Sequence, residues 1–245
     1  TTPSLHRRQR QMCIRDRDYA SDSSCLAELR QLVAELAARN RFQLDLRESS
    51  SNLGYGGGHN LALKASGQYH LVLNPDVELA PDALEVGLES LVADPAVALL
   101  SPFATGPDGE QEFLCKRHPS VLVLLLRAFA PGMGRRLIPG RMAEYQMSDA
   151  CGPEQAVQAP LASGCFMLLR GESLRAIGGF DERYFLYFED FDLSRRIARH
   201  GEVRYLPKMR IVHHGGYAGR KGLRHVMLFM RNGARFFSQY GWRWF

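Results

Sequence analysis

Apolar and polar positions recur with two distinct periods from residue 18 onward, and each change of period marks an element. Leu26, Leu29, Leu32, Val33 and Leu36 fall at helical spacing, so residues 24–39 read as a helix that Ser23 or Ser24 can cap. FQLDLR at 42–47 alternates apolar and polar and predicts a strand. The glycine-rich NLGYGGGHN at 52–60 reads as a turn opening a short helix through Ser66, and YHLVLN at 69–74 as a more buried strand. Pro81 stands where a helix can begin, Asp82 to Val92 continue it, and residues 97–100 make a third strand. Strands alternating with helices predict an α/β fold whose mostly parallel, Rossmann-like sheet is flanked by helices.

Residues 104–160 break this rhythm. PDG at 107–109 is a turn, and scattered prolines and glycines predict an inserted subregion facing a substrate. LASGCFMLLR at 161–170 is strand-like again, and Gly178-Gly179 turns the chain into YFLYFEDFDLSRRI at 184–197. EDFDLSRRIARHG reads as a helix with acids in its first turn, Leu193 and Ile197 on one face, basic residues in its last turn and Gly201 as its stop. The chain has no internal repeats.

Composition sets the class. With 245 residues, 45% hydrophobic and 23% charged, the chain is long enough to bury a substantial core, as one α/β domain or one with a small appendage. The net charge of +5 is uneven: residues 195–245 hold 12 Lys/Arg against the single acid Glu202, leaving 19 against 25 before them. Such a basic end suits a phosphate-bearing substrate or an anionic membrane surface. Nucleic acid is disfavoured, because no nucleic-acid-binding signature accompanies the charge. Five scattered cysteines without a CxxC pair fit a reducing, cytoplasmic compartment and argue against zinc. No apolar run reaches the roughly 18 to 20 residues of a membrane span. VLVLLLRAFA at 121–130 is either a core helix or a segment lying on a bilayer, and RNGARFFSQYGWRWF at 231–245 either an amphipathic core helix or an anionic-leaflet contact. The polar, basic residues 1–17 lack the apolar region of a secretory signal and are set apart from the fold as foreign to it.

Candidate chemistry sits where elements end. In LNPDVEL at 73–79 a strand runs into Asn74, Pro75 and Asp76, where an open α/β sheet binds ligands; a hard cation could use such a carboxylate, or the segment could be a helix-capping turn. NLGYGGGHN could admit a phosphate to backbone N–H groups or be a tight turn. In HHGGYAGRKG at 213–222, His213 and His214 could reach a metal or a diphosphate, or be ordinary surface residues. Glu189, Asp190 and Asp192 follow four aromatics and a leucine. Helix-dipole stabilisation, typically a few tenths to about 1 kcal/mol, accounts for one or two acids there but not for the aromatic wall. An apolar wall raises the pKa of an uncompensated carboxylate and makes it a better proton acceptor.

Taken in order, DYAS at 18–21, NLGYGGGHN, LNPDV, SGCFMLLR, GGFDERYFLYFEDFDLSRR and YLPKMRIVHHGG resemble bacterial glycosyltransferase family 2, within it the rhamnosyltransferase-like members. The resemblance implies a GT-A fold and inverting transfer from a nucleotide-diphosphate sugar, with dTDP-rhamnose the implied donor and a cell-surface glycan or polyprenyl-linked precursor the acceptor. It implies donor contacts at Asp18, Asn52, Gly54, Gly58, Asn60 and Asn74, and Mg²⁺ or Mn²⁺ held by Asp76 with His213 or else His214. Asp190 becomes the general base, Glu189 orients base or acceptor, and Tyr187, Phe188 and Asp192 line the acceptor side. Asn74 stands where the family's metal-binding element has its first aspartate, which leaves fewer charges on the cation.

The resemblance divides the chain into a non-family segment at 1–17, a nucleotide-sugar-binding part at 18–103, an acceptor-binding and catalytic part at 104–230, and a basic, aromatic segment at 231–245. It also implies a first strand and helix before Asp18, which residues 1–17 do not supply, so reduced stability and activity are expected. Two other functions share these features: a nucleotidyltransferase acting on a sugar phosphate, which needs no acceptor base, and a non-catalytic sugar- or lipid-carrier-binding fragment. The enzyme itself would be cytoplasmic, peripheral on the inner face of the membrane.

Overall fold

A computed structural model describes residues 51–65, 67–215 and 222–245 continuously and, before them, residues 11–12, 28, 30–35, 38, 43–44, 46–47 and 49. Asp18, half of the helix expected at 24–39 and the glycine-rich 216–221 lie outside the described residues; within the expected helix, residues 28, 30–35 and 38 are helical. Strands β1 (Gln11–Met12) and β2 (Gln43–Leu44) pair in parallel, so part of the segment set apart by sequence does take part in strand pairing.

The remaining strands build one seven-stranded sheet and a small two-stranded one. β3 (Tyr69–Leu73), β5 (Val97–Thr105) and β11 (Glu202–His213) run in the same direction, and β10 (Phe166–Arg170) is reversed between β3 and β5. β4 (Val77–Leu79) closes one edge against β11, while β6 (Gln111–Glu112) and β8 (Val157–Gln158) add short antiparallel partners. The α/β expectation holds, with a mixed sheet: β5 and β11 are the parallel pair within it, because β10 enters in reverse. β7 (Cys115–Lys116) and β9 (Leu161–Ala162) form the separate pair.

Central strands are apolar on both faces, as burial on both sides requires. Val97 to Leu100 and Phe166 to Leu169 are all buried. One face carries helix α2 (Ala83–Ala93), which buries Ala83 and Leu91; it approaches closely at Gly87, where a Cβ would meet Leu168 Cδ2 at 2.7 Å and Met209 Sδ at 2.8 Å. The other face carries α1 (Gly54–Asn60), α6 (Gly171–Ala176) and α7 (Glu189–Ile197) around Tyr55, Leu174, Phe180, Leu193 and Ile197.

The subregion at 104–160 folds into three short helices, α3 (Val121–Phe129), α4 (Pro131–Leu137) and α5 (Pro139–Gln146). The last helix, α8 (Leu223–Tyr240), joins α3, α5 and the aromatic stretch in a third cluster containing Val123, Leu124, Tyr145, Tyr184, Phe188, Phe236 and Phe237. Residues 231–240 thus bury a core-facing stripe. Among the described residues, no helix is long and apolar enough to cross a membrane.

Candidate active site

The carboxyl ends of β3, β5 and β11 lie at one edge of the sheet, where open α/β sheets bind ligands. Asp76 occupies the turn between β3 and β4, and its carbonyl accepts from His214 N at 2.7 Å, which draws the end of β11 alongside. His213, the last residue of β11, has Nε2 3.6 Å from Asp76 Oδ2. Its other nitrogen, Nδ1, lies 2.7 Å from Glu112 Oε2. Glu112 reaches it because β6 pairs beside β5, opposite Ala104, which in turn lies beside Ile211 of β11.

An ionised carboxylate only accepts hydrogen bonds, so the contact with Glu112 places an imidazole hydrogen on Nδ1, and in the neutral ring the Nε2 lone pair then lies on the side of Asp76. Among the described residues Asp76 Oδ1 is buried with no hydrogen-bond partner, although the side chain as a whole is 42% exposed. Gly215 leaves open the space beside the pair: a Cβ there would stand 2.5 Å from both Asp76 Oδ2 and His213 Nε2. One carboxylate, one imidazole with its lone pair presented, and a gap without a side chain fit a divalent cation. His214 turns away to Glu78 Oε2 at 3.1 Å, which selects His213 of the two.

The second half of the site is built on α7. Tyr187 and Phe188 both adopt left-handed backbone, φ 72° and 68°, a conformation uncommon for aromatic residues and characteristic of functional sites. That double reversal starts the helix with Asp190 turned in toward the loop between β9 and β10. Asp190 Oδ2 accepts from Gly164 N at 3.1 Å and Oδ1 from Phe191 N at 2.9 Å. Ser194 fastens the same helix, donating to Asp190 O at 2.8 Å and accepting from Ala162 N at 3.0 Å. Burial raises the Asp190 carboxyl above the ordinary carboxylate range, opposed by those backbone N–H groups and by the Arg127 charge.

Loop 163–165 joins the halves. Tyr55 Oη hydrogen-bonds the Gly164 carbonyl and lies 3.3 Å from Asn74 Oδ1, while Asn74 N donates to Cys165 O at 3.0 Å. Burial pushes the Cys165 thiol up to about 12, and the charges of Asp76, Glu112 and Asp190 add to it. Facing Asp190 from the subregion are Lys116, Arg127 and Tyr145, with Arg127 Cζ 5.7 Å and Lys116 Nζ 6.0 Å from the Tyr145 ring centre. Burial and the Arg127 charge bring Lys116 down to about 7.

Several sequence expectations are corrected. Within NLGYGGGHN the glycines already belong to helix α1: Gly54 has φ +72°, a Cβ there would meet Phe185 O at 2.2 Å, and a Cβ on Gly56 would meet Phe180 Cβ at 2.6 Å. These glycines serve close packing against 180–185, and Gly58 lies within the same helix. Asn52 accepts from Gly54 N at 2.9 Å. Asn60 is engaged on both sides of its amide, accepting from Phe180 N at 2.8 Å and donating to Phe180 O at 2.9 Å, so it clamps a turn instead of meeting a donor. Asp192 is fully buried against Arg196 at 2.7 Å, Tyr240 Oη at 2.7 Å and Gln239 at 3.1 Å, and Phe188 is buried against Phe229 and Phe236, so neither lines an acceptor cleft. Tyr187 remains partly exposed, its Oη 3.1 Å from His225 Nδ1. Glu189 is buried at the start of α7.

Residues 19–178 match the family described as Glycosyl transferase family 2, about two thirds of the chain. The chain belongs to glycosyl transferase family 2. The match stops before Asp190, so α7, β11 and α8 are placed by the structure alone. Among curated members of this family's rhamnosyltransferase branch, the chain is 29% identical over 196 residues to the N-acetylglucosaminyl-diphospho-decaprenol L-rhamnosyltransferase of Mycobacterium tuberculosis, covering 74% of this chain and 62% of that protein. It is 27% identical over 177 residues to rhamnosyltransferase WbbL of Escherichia coli, covering 68% of this chain and 63% of that one. The chain thus spans somewhat under two thirds of both relatives. Solved structures agree on a GT-A fold: GalNAc-T7 with UDP, GalNAc and Mn²⁺ has a TM-score of 0.62 at 15% identity, covering 93% of this chain and 41% of its own. The mannosyltransferase PcManGT of Pyrobaculum calidifontis with GDP-Man and Mn²⁺ has a TM-score of 0.56 at 20% identity, covering 91% and 54%.

Proposed function

We propose that the chain is the catalytic part of an inverting glycosyltransferase that moves L-rhamnose from dTDP-rhamnose to a polyprenyl-linked or cell-surface glycan. The names of both curated relatives support the sugar, and that of the Mycobacterium tuberculosis relative supports the lipid-linked acceptor. The observation that carries the chemistry is the loop 163–165 that joins the two halves: Gly164 N donates to Asp190 Oδ2 at 3.1 Å, and the next residue, Cys165, accepts at its carbonyl from Asn74 N, two residues before Asp76, at 3.0 Å.

Asp190 accepts the acceptor hydroxyl proton. Backbone N–H groups of Gly164 and Phe191 fix its two oxygens, and its raised pKa makes it a stronger base than an exposed carboxylate. Tyr187 at the lip of α7 is the remaining aromatic for an acceptor ring. Asp76 and His213 would hold Mg²⁺ or Mn²⁺, with Glu112 orienting the imidazole. The cation supplies charge neutralisation for the departing diphosphate. Asn74 and Asn52 are retained as donor-side contacts, and Glu189 as a group that orients Asp190.

A panel of nucleotide sugars, assayed with and without Mn²⁺ on the chain and on Asp190→Asn and Asp76→Ala, tests the reading. Metal-stimulated use of dTDP-rhamnose, lost in Asp190→Asn while nucleotide binding persists, is the expected result. Full activity of Asp190→Asn alongside an inactive Asp76→Ala would instead favour nucleotidyl transfer, which needs no acceptor base.

A further inference from the structure

Helices α3 and α4 carry large apolar side chains into solvent: Leu125 and Phe129 one turn apart on α3, Met133 and Leu137 one turn apart on α4, with Phe129 54% and Leu137 65% exposed. The helices are packed to each other through Gly134, where a Cβ would lie 3.2 Å from Leu126 Cβ, so the two exposed pairs belong to one rigid hairpin. The same segment carries the exposed cations Arg127, Arg135, Arg136 and Arg141. From residue 113 to residue 143 the chain has six Lys/Arg and no Asp or Glu.

The end of the chain joins this surface. Val121 N donates to Arg243 O at 2.7 Å and Leu122 N to Trp244 O at 3.3 Å, so the tail satisfies the open N–H groups at the start of α3. Trp242 and Trp244 stack at 5.2 Å between ring centres and are both exposed. From residue 222 to the end there are again four arginines and no acid.

We propose that the α3–α4 hairpin, with the tryptophans at its base, is a docking surface for an anionic lipid bilayer. Exposed apolar side chains on a stretch that carries six Lys/Arg and, from residue 113 to residue 143, no Asp or Glu have the charge and the amphipathic chemistry of an interfacial segment. Indoles suit the headgroup level, where one edge is apolar and the other hydrated. A protein partner of matching chemistry would need its own acidic face. The assignment deepens the proposed function and rests on its lipid-linked acceptor: Arg127 stands on the same α3 and its charge reaches Asp190, so docking through α3 would bring the base to the membrane surface.

Flotation of the full chain with phosphatidylcholine vesicles, alone or with about one third phosphatidylglycerol, reads the surface directly. The chain is expected to float with the anionic vesicles and to remain below the neutral ones. Phe129→Ser/Leu137→Ser and Arg135→Glu/Arg136→Glu should each cut bound protein at least about tenfold. Thermal melting and nucleotide-diphosphate binding should be unchanged, since none of the four residues belongs to the site. Failure of nucleotide binding in the parent chain would strike the glycosyltransferase reading, whereas intact nucleotide binding without flotation overturns this surface alone. Equal flotation of parent and variants also overturns it. So does a dimer in sedimentation that Phe129→Ser/Leu137→Ser returns to monomer, which would assign the face to a second copy.

Discussion

Glu112 Oε2 lies 2.7 Å from His213 Nδ1, although the two residues stand on strands separated by β5 and are 101 positions apart in sequence. The contact sets the tautomer of His213, and hence whether Nε2 offers Asp76's neighbourhood a lone pair or a hydrogen. Glu112→Ala is expected to weaken Mn²⁺ binding about 10- to 100-fold. Glu112→Gln, whose amide oxygen still accepts from Nδ1, should lose less. Mn²⁺ titration followed by electron paramagnetic resonance measures this without turnover, and equal affinity in Glu112→Ala would remove Glu112 from the metal site.

Asp190→Asn is expected to lower kcat by about 10²- to 10⁴-fold, the usual contribution of a positioned base, with nucleotide affinity retained. The base works only when ionised, so kcat rises with pH through a pKa that burial has raised. Arg127→Met removes a charge that opposes that rise. Its acidic limb should therefore move to higher pH in a kcat profile; movement to lower pH would show that Arg127 does not act on Asp190.

Lys116→Met tests a buried cation. Its folded pKa of about 7 lies below the ordinary 10.5, so between those values the unfolded chain binds more protons and stability rises with pH. Below about 7 the folded chain must carry the charge inside and that stabilisation is absent. Urea denaturation across pH 6 to 10 should show a shallower rise in Lys116→Met, and identical slopes would place Lys116 in water.

Asp192 is a structural acid. Asp192→Ala leaves the Arg196 guanidinium without its carboxylate and Tyr240 Oη without its acceptor, and should destabilise the fold by about 3 to 5 kcal/mol in chemical denaturation. A loss near zero would mean that α7 is held by other contacts.

Much of this arrangement was legible in the chain. The strand at 69–73, the helices at 83–93 and 189–197, and the placement of Asp76 beyond a strand end follow from local periodicity and from the geometry of α/β sheets, whereas the long strand β11 that brings His213 to the same edge is not among the strands expected from the sequence. Glycine spacing misled, because close helix packing and phosphate approach both require a missing side chain and leave the same residues in the sequence. Glu112 sat in the irregular 104–160 subregion behind a PDG turn, and nothing local marks a two-residue strand as the partner of a histidine about a hundred positions away.

The aromatic stretch shows the division most clearly. Sequence alone determined that an acid-rich helix start follows a run of aromatics and that charge there needs compensation, because desolvation acts on residue type wherever it is buried. Only the tertiary structure decided which acid receives which compensation. Asp190 and Asp192 are two positions apart on α7 and so face different directions, one toward Gly164 and the site, the other toward Arg196 and α8. Periodicity reports which faces are apolar; the partners that meet those faces come from distant segments, and that choice is made by packing.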